Sequence, residues 1–199
     1  MFKGNGMLKF AKIFALSLLL IGFLNATEAK KAANVEFNIK TIDGKTFKVI
    51  GKEDGILVPQ LKGKVVFVEF WGINCRYCIL SIPEYIKLKN EYKDKLEILA
   101  FEVEGHSTAQ LKRFVKQKGM NYPVFSMTEN LDFIRYISDR TGWMSKWRGG
   151  IPFLAAFDKD GRIITIQPGK LNREFLVRVI EYGLKGAESQ SKDTNSSTK

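Results

Sequence analysis

The sequence has little cysteine and almost no histidine: Cys75, Cys78 and His106 are the only such residues among 199. A structural zinc site takes four ligands, mostly cysteine and histidine, so zinc would lack ligands here. A c-type haem attachment site needs histidine directly after the second cysteine, and residue 79 is isoleucine. These absences exclude both kinds of metal centre and leave the cysteine pair itself as the candidate for chemistry.

The two cysteines follow directly on the apolar stretch 65–71, which has the β-branched and aromatic composition of a buried strand. The residues from Cys75 onward have a helical pattern, so Cys75 is expected at a helix N-terminus. Unpaired backbone N–H groups and the helix dipole favour a thiolate there, and Arg76 adds positive charge. Cys78 lies one turn later, within disulfide reach and more buried. We predict that Cys75 is a nucleophile and that Cys78 is its resolving thiol.

A purely structural disulfide is the alternative for this pair. A bridge across two intervening residues closes a very small loop, so it removes little entropy from the unfolded chain. The spacing therefore favours a redox couple over a structural bridge.

The chain has no long hydrophobic run at its N-terminus, where the apolar stretch covers only residues 13–24. Spanning a membrane takes about 20 residues. Three lysines precede this run and small residues follow it, which is the pattern of a secretory signal peptide. We predict a cleaved signal peptide at residues 1–29 and an exported, periplasmic protein. An uncleaved membrane anchor is the alternative, and a lipoprotein anchor is excluded because no cysteine follows the run.

Acidic residues are fewer than basic ones, 21 against 32, and the formal net charge is +11. Loss of residues 1–29 would remove three lysines and one glutamate and leave +9. The lysines are dispersed at helical spacings, so they indicate solvated helix faces and not a nucleic-acid surface. The hydrophobic fraction of 45% suits one globular domain, which we place at residues 30–186. Residues 187–199 are rich in Ser, Thr, Lys and Gln, and we predict a disordered tail there.

Periodicity predicts an α/β fold in which strands and helices alternate along most of the chain. The predicted elements are a hairpin over 34–50 around Asp43-Gly44, a loop over 51–64, a strand over 65–71, a helix over 75–92 with Pro83 inside it, a strand over 96–103, a helix from the Ser107 capping box to Lys118, a strand over 122–126, a helix over 129–140, strands over 153–158 and 162–167 joined by a turn, and a helix over 172–184.

Several of these features resemble thioredoxin-like proteins. They are Phe70-Trp71, the Cys75-Arg76-Tyr77-Cys78 motif, Pro83, the loop 149–152 and the turn 157–161. The resemblance covers roughly residues 34–185 and is greatest to the exported TlpA/ResA/CcmG-like thiol-disulfide oxidoreductases. It implies a thioredoxin-like fold, with a mixed central sheet flanked by helices and an N-terminal β-hairpin extension.

The resemblance also implies a function without a bound cofactor. The expected activity is reduction of disulfides in exported proteins, including apocytochromes c before haem attachment, with a membrane thiol donor restoring the reduced state. A disulfide oxidase or isomerase is the alternative within this chemistry, and a non-catalytic binding module is a third possibility. Two departures leave the direction open: residue 74 is asparagine where relatives usually carry tryptophan, and residue 81 is serine where ResA-like proteins carry glutamate.

Glu69 interrupts an otherwise apolar strand at the position of the buried acid of thioredoxin. Burial without a cationic partner would raise its pKa, so we predict that it exchanges protons with Cys78. A polar strand edge is the alternative. The resemblance also matches Pro152 to a cis-proline facing the cysteines, which would leave the Ile151 backbone to pair with a substrate strand.

Exposed side chains around the motif are further candidates for substrate contact. We assign this role to Trp71, Arg76 and Tyr77 together with Ile151 and Pro152, and core packing is the alternative for Trp71. Trp143 and Trp147 are weighed evenly between packing and substrate contact. Nothing in the sequence places His106 near the thiols, so we expect a surface residue.

Overall fold

The computed structural model describes residues 35–140 and 147–186. The predicted signal peptide at 1–29 and tail at 187–199 lie outside these residues, as does Trp143. Within the described ranges, no helix combines the length and the apolar character needed to cross a membrane.

The described residues form eight strands and four α-helices. The strands are β1 (Glu36–Lys40), β2 (Thr46–Lys52), β3 (Gly55–Leu57), β4 (Val65–Trp71), β5 (Leu96–Glu102), β6 (Val124–Ser126), β7 (Phe153–Phe157) and β8 (Ile163–Pro168), and the helices are α1 (Arg76–Tyr92), α2 (Thr108–Lys118), α3 (Met127–Arg140) and α4 (Arg173–Lys185).

The central sheet has the order β6-β5-β4-β7-β8. Strand β4 pairs in parallel with β5 and antiparallel with β7, so the sheet is mixed as predicted. All seven residues of β4 are buried, because this strand lies in the middle of the sheet with covered faces on both sides. Because β4 is held on both sides, its end at Trp71 gives the cysteine motif that follows a rigid attachment to the sheet.

Alternation along β4 divides the core into two clusters of buried side chains. Val65, Phe67 and Trp71 point to the face that also holds Cys78, which we call the thiol-side core. Helices α1 and α4 bury their apolar residues in this cluster. Val66, Val68 and Phe70 point to the opposite face, where α3 and the N-terminal strands pack.

The N-terminal extension is a three-stranded antiparallel sheet in which β2 lies between β1 and β3. The predicted hairpin is confirmed, with Lys40 opposite Thr46. The prediction of a loop over 51–64 is wrong at β3, which pairs with β2. Gly55 lets β3 approach the turn before β8 closely, because a Cβ there would lie 2.0 Å from the Gly161 carbonyl oxygen.

Helix ends follow the capping signals of the sequence. Ser107 Oγ accepts from the Gln110 N–H and Gln110 Oε1 accepts from the Ser107 N–H, which completes the predicted capping box of α2. Helix α3 begins at Met127, two residues before its predicted start. The buried Asn130 side chain accepts from the Lys40 N–H at 2.8 Å and donates to the Lys40 carbonyl at 3.1 Å, and it thereby links α3 to β1.

Candidate active site

Cys75 lies between the end of β4 and the first residue of α1, where it is the N-cap of the helix. Its Sγ accepts a hydrogen bond from the backbone N–H of Cys78 at 3.1 Å, so the sulfur occupies the place of an ordinary capping oxygen. The two cysteines form a disulfide with a Cα–Cα distance of 5.2 Å. Cys75 is half-buried whereas Cys78 is 1% exposed. Cys75 is therefore the more accessible of the two cysteines, and the order of attack stays a prediction.

The electrostatics at the start of α1 favour negative charge on Cys75. The first turn of α1 contains no acidic residue, and the sulfur lies at the N-terminus of the helix, where it accepts from the Cys78 N–H. Arg76 and Tyr77 are exposed beside the disulfide, Tyr77 with 61% of its surface. They are available for substrate contact, which stays a prediction.

Glu69 is 2% exposed, in the middle of β4, and the interpretation as a residue of a polar edge is wrong. Alternation gives it the same face of β4 as Phe67 and Trp71, and those two residues pack in the thiol-side core with Cys78. Burial raises the pKa of Glu69 from 4.5 to about 8. Glu69 is therefore a carboxyl that can carry a proton at neutral pH on the cysteine side of the sheet.

Two tyrosines lie close enough to Glu69 to interact with it electrostatically. Burial raises the pKa of Tyr85 and of Tyr122, and a charged Glu69 raises both further. The Tyr122 hydroxyl has no hydrogen-bond partner among the described residues, and neither has the indole N–H of Trp71. Within residues 35–140 and 147–186, the groups that interact with Glu69 are thus weakly acidic hydroxyls, and no cation counters the effect of burial on its pKa.

The Ile151–Pro152 peptide bond is cis. Pro152 immediately precedes β7, and its carbonyl accepts from the Gly169 N–H at 2.7 Å. Ile151 is half-buried and packs against the thiol-side core, as Cys75 does. Within the described residues the Ile151 backbone forms no hydrogen bond with other backbone groups, so its N–H and C=O remain available for pairing with a substrate strand.

Trp71 does not line a substrate surface. It is 1% exposed, and its ring packs 5.6 Å from that of Phe114. The prediction of a substrate-binding Trp71 is wrong, because the residue shares the inward face of β4 with Glu69 and Phe67. Trp147 is half-buried, with its ring 4.9 Å from Phe70 and its Nε1 donating to the Gly150 carbonyl at 2.7 Å.

His106 is partly exposed and lies beside the cysteine loop, a placement that the sequence did not indicate. Its Nε2 is 3.3 Å from the side-chain nitrogen of Asn74, which directly precedes Cys75. Its Nδ1 is 2.7 Å from Glu102 Oε1. The placement follows from the parallel pairing of β4 and β5, because parallel neighbours end at the same edge of a sheet.

Glu102, Glu104 and His106 hold their potential ligand atoms within 4.8 Å of one another. The oxygens of Glu102 already accept from the N–H groups of Glu104 and His106 and from the His106 ring. This arrangement is that of a hydrogen-bonded network supporting the loop, and it needs no cation to hold it together.

Comparison with protein families gives a match to Redoxin over residues 53–184. The chain is 34% identical over 124 residues to thiol-disulfide oxidoreductase ResA of Bacillus thuringiensis subsp. konkukian. That alignment covers 61% of the chain and 64% of the relative, so the chain matches just under two thirds of the relative's length. The resemblance to ResA-like proteins is confirmed.

Solved structures of similar fold include a thiol:disulfide interchange protein of the thioredoxin family from Chlorobium tepidum, with a TM-score of 0.62 and 21% identity over 76% of this chain and 95% of the other. Another is the exposed lipoprotein thioredoxin Etrx1 of Streptococcus pneumoniae, with a TM-score of 0.55 and 23% identity over 74% of this chain and 99% of the other. At these identities the likeness concerns the fold, and it confirms the predicted thioredoxin-like architecture.

Proposed function

This chain belongs to the Redoxin family, and we propose that it is a thiol-disulfide oxidoreductase working through Cys75 and Cys78. The observation that carries the proposal is the unequal placement of the two sulfurs. Cys75 caps a helix N-terminus and is accessible, whereas Cys78 is buried one turn behind it. This is the arrangement that an attacking thiolate and a resolving thiol require.

In the reducing direction, the Cys75 thiolate attacks one sulfur of a substrate disulfide. A mixed disulfide forms, and the other substrate sulfur leaves as a thiolate that takes up a proton. Cys78 then loses its proton and attacks Cys75 Sγ, which breaks the mixed disulfide and releases the second substrate thiol. Two electrons pass to the substrate, and the protein is left with the Cys75–Cys78 disulfide.

Glu69 is proposed as the group that exchanges a proton with Cys78 during the second step. A buried thiol needs a base before it can attack, and a carboxyl with a pKa of about 8 is divided between both protonation states near neutral pH. Glu69→Gln should therefore slow release from the mixed disulfide while the first attack by Cys75 continues.

Recognition of substrates is assigned to the backbone of Ile151 and to the exposed Arg76 and Tyr77. An extended substrate segment would add to the loop before β7 through main-chain hydrogen bonds, which makes the site tolerant of different sequences. Disulfide-containing exported proteins are the proposed substrates, and apocytochromes c are the specific class that the resemblance implies. Return to the dithiol state would require a thiol donor at the membrane.

We place the protein outside the cytoplasm, in the periplasm, with residues 1–29 as a cleaved signal peptide. The N-terminal charge pattern and the similarity to ResA support this location. Mass spectrometry of the protein purified from a bacterial periplasmic fraction tests it, since the mature chain should begin near residue 30. An intact N-terminus in the membrane fraction would instead support an uncleaved anchor.

Insulin reduction by dithiothreitol tests the activity. The wild type should accelerate it and Cys75→Ser should abolish the acceleration, whereas Cys78→Ser should accumulate a mixed disulfide that non-reducing electrophoresis detects. Equal rates for the wild type and Cys75→Ser would contradict the proposal and favour a binding module.

The direction of exchange is tested by the reduction potential of the pair in glutathione buffers. We propose a reductase, for which a potential near or below about −250 mV is expected. A potential near about −120 mV, the range of strong disulfide donors, would favour an oxidase instead.

A further inference from the structure

A hydrogen-bonded network lies directly before Cys75, and the exchange chemistry above does not use it. Its members are Asn74, Glu102, Glu104 and His106. Glu102 has no exposed surface. Its carboxylate accepts from the backbone N–H of Glu104 at 2.9 Å, from that of His106 at 3.2 Å and from the His106 ring at 2.7 Å. The buried carboxylate thereby fixes the backbone and the ring of the segment after β5.

The His106 ring joins Glu102 to the residue that precedes Cys75. The Nδ1 atom donates to the Glu102 carboxylate at 2.7 Å, and Nε2 lies 3.3 Å from the side-chain amide nitrogen of Asn74. Both ring nitrogens of His106 therefore lie within hydrogen-bond distance of a network partner. The orientation of the Asn74 side chain thus depends on a residue 32 positions away.

Glu104 holds the backbone of the same loop. Its Oε2 accepts from the Asn74 backbone N–H at 2.9 Å. The side chain reaches this position by crossing Gly72, where a Cβ would lie only 2.2 Å from Glu104 Cδ. The Cys75 N–H in turn donates to the Gly72 carbonyl at 3.3 Å. A half-exposed carboxylate therefore contacts the turn that carries the nucleophile.

We infer that Glu104 and His106 are positioning residues for Cys75, and that the charge of Glu104 lowers the reduction potential of the Cys75–Cys78 pair. The inference rests on the proposed exchange function. The N-terminus of α1 stabilises the Cys75 thiolate, and a carboxylate beside this N-terminus opposes that stabilisation. A less stable thiolate disfavours the reduced form, so the dithiol becomes a better electron donor.

Two of the network residues can be altered without loss of their nearest hydrogen bond. Glu104→Gln removes the charge and retains an oxygen that can accept from the Asn74 N–H. His106→Asn retains a donor near the Nδ1 position and removes the nitrogen that faces Asn74. Glu129→Gln is the matched control, because it removes an equal charge from the exposed first turn of α3, which packs on the opposite face of the sheet.

The charge effect is measured by equilibrating each protein with glutathione at pH 7 and quantifying free thiols by mass spectrometry. Glu104→Gln should shift the equilibrium constant toward the dithiol by about two- to fivefold, the size of a partly exposed charge interaction. Glu129→Gln should give the wild-type constant. Wild-type values for Glu104→Gln, or an equal shift in Glu129→Gln, would overturn the charge effect.

If Glu104→Gln does not fold, Gly72→Ala gives a second test of the charge effect. A methyl group at residue 72 displaces the Glu104 side chain, so the shift should have the same direction, and an unchanged constant would overturn it. If the wild type itself does not exchange with glutathione or insulin, the proposed function fails. That result differs from a failure of the charge effect alone, in which the wild type exchanges and the variants have its equilibrium constant.

The positioning role is tested by a double-mutant cycle on the rate of insulin reduction. His106→Asn and Asn74→Ala should each lower this rate by about two- to fivefold, because the turn before Cys75 loses its anchor. If His106 acts through Asn74, the double variant should lose no more than either single variant. Independent, multiplying losses would overturn this part of the inference.

Discussion

Glu69→Gln replaces the buried carboxyl of β4 by an amide of nearly equal size, and it should change how stability depends on pH. In the unfolded chain the carboxyl titrates near 4.5, whereas burial raises the pKa in the folded protein to about 8. Between these values the native state holds a proton that the unfolded state has released. The free energy of unfolding of the wild type therefore falls as pH rises through this window.

The size of the effect follows from the two pKa values. Each pH unit within the window lowers the free energy of unfolding by about 1.4 kcal/mol. From pH 5 to pH 7 the loss due to Glu69 is about 2 to 3 kcal/mol. This contribution is fully present below about pH 4.5 and is lost as pH rises through about 8.

Urea unfolding, followed by tryptophan fluorescence, measures this effect. The oxidised protein is used because its cysteines form a disulfide and do not titrate. The other titrating groups are common to both proteins and cancel in the difference between wild type and Glu69→Gln. That difference should change by about 2 to 3 kcal/mol in favour of the variant between pH 5 and pH 7. Glu129→Gln is the control for replacing a carboxyl by an amide, because the Glu129 carboxyl is exposed to water in both the folded and the unfolded state. A difference that stays constant from pH 5 to pH 8 would refute the reasoning.

Two further substitutions test the packing that supports the site. Gly183→Ala would place a Cβ 2.7 Å from Ile164 Cδ1 and 2.8 Å from Val65 Cγ2, so these side chains or α4 must shift. Overpacking costs about 1–3 kcal/mol and outweighs the gain of about 1 kcal/mol in helix propensity, so urea unfolding should show a net loss. Asn130→Ala should cost about 1–3 kcal/mol, because Lys40 loses its N–H and C=O partners. Amide exchange at Lys40 should also quicken in this variant, and unchanged protection would contradict the assigned hydrogen bond.

The elements nearest the cysteines are predictable because their signals are local. A seven-residue apolar run specifies β4 without further context, and the following change of periodicity places Cys75 at a helix start. The capping box at Ser107 is likewise specified by residues that contact each other within one turn. Such features need no knowledge of the tertiary structure.

Strand β3 and the network at His106 depend on contacts between distant residues. Strand β3 has three residues, one of them glycine, and it pairs with β2 on one side while Gly55 approaches Gly161 in the turn before β8 on the other. His106 contacts Asn74 because β4 and β5 end at the same edge, a consequence of pairing and not of spacing. The burial of Trp71, in contrast, was predictable from the sequence, because the alternation of side chains along β4 places it on the same face as Glu69.

The N-terminal extension contacts both outer strands of the central sheet. The Ile42 N–H donates to the Val124 carbonyl in β6 at 2.9 Å, and the Ile163 N–H of β8 donates to the Asp54 carbonyl at 2.8 Å. Unpaired groups on edge strands are the usual starting points for aggregation between chains. Because the extension occupies such groups at both ends, its deletion should expose them and increase aggregation at a given protein concentration, which light scattering measures.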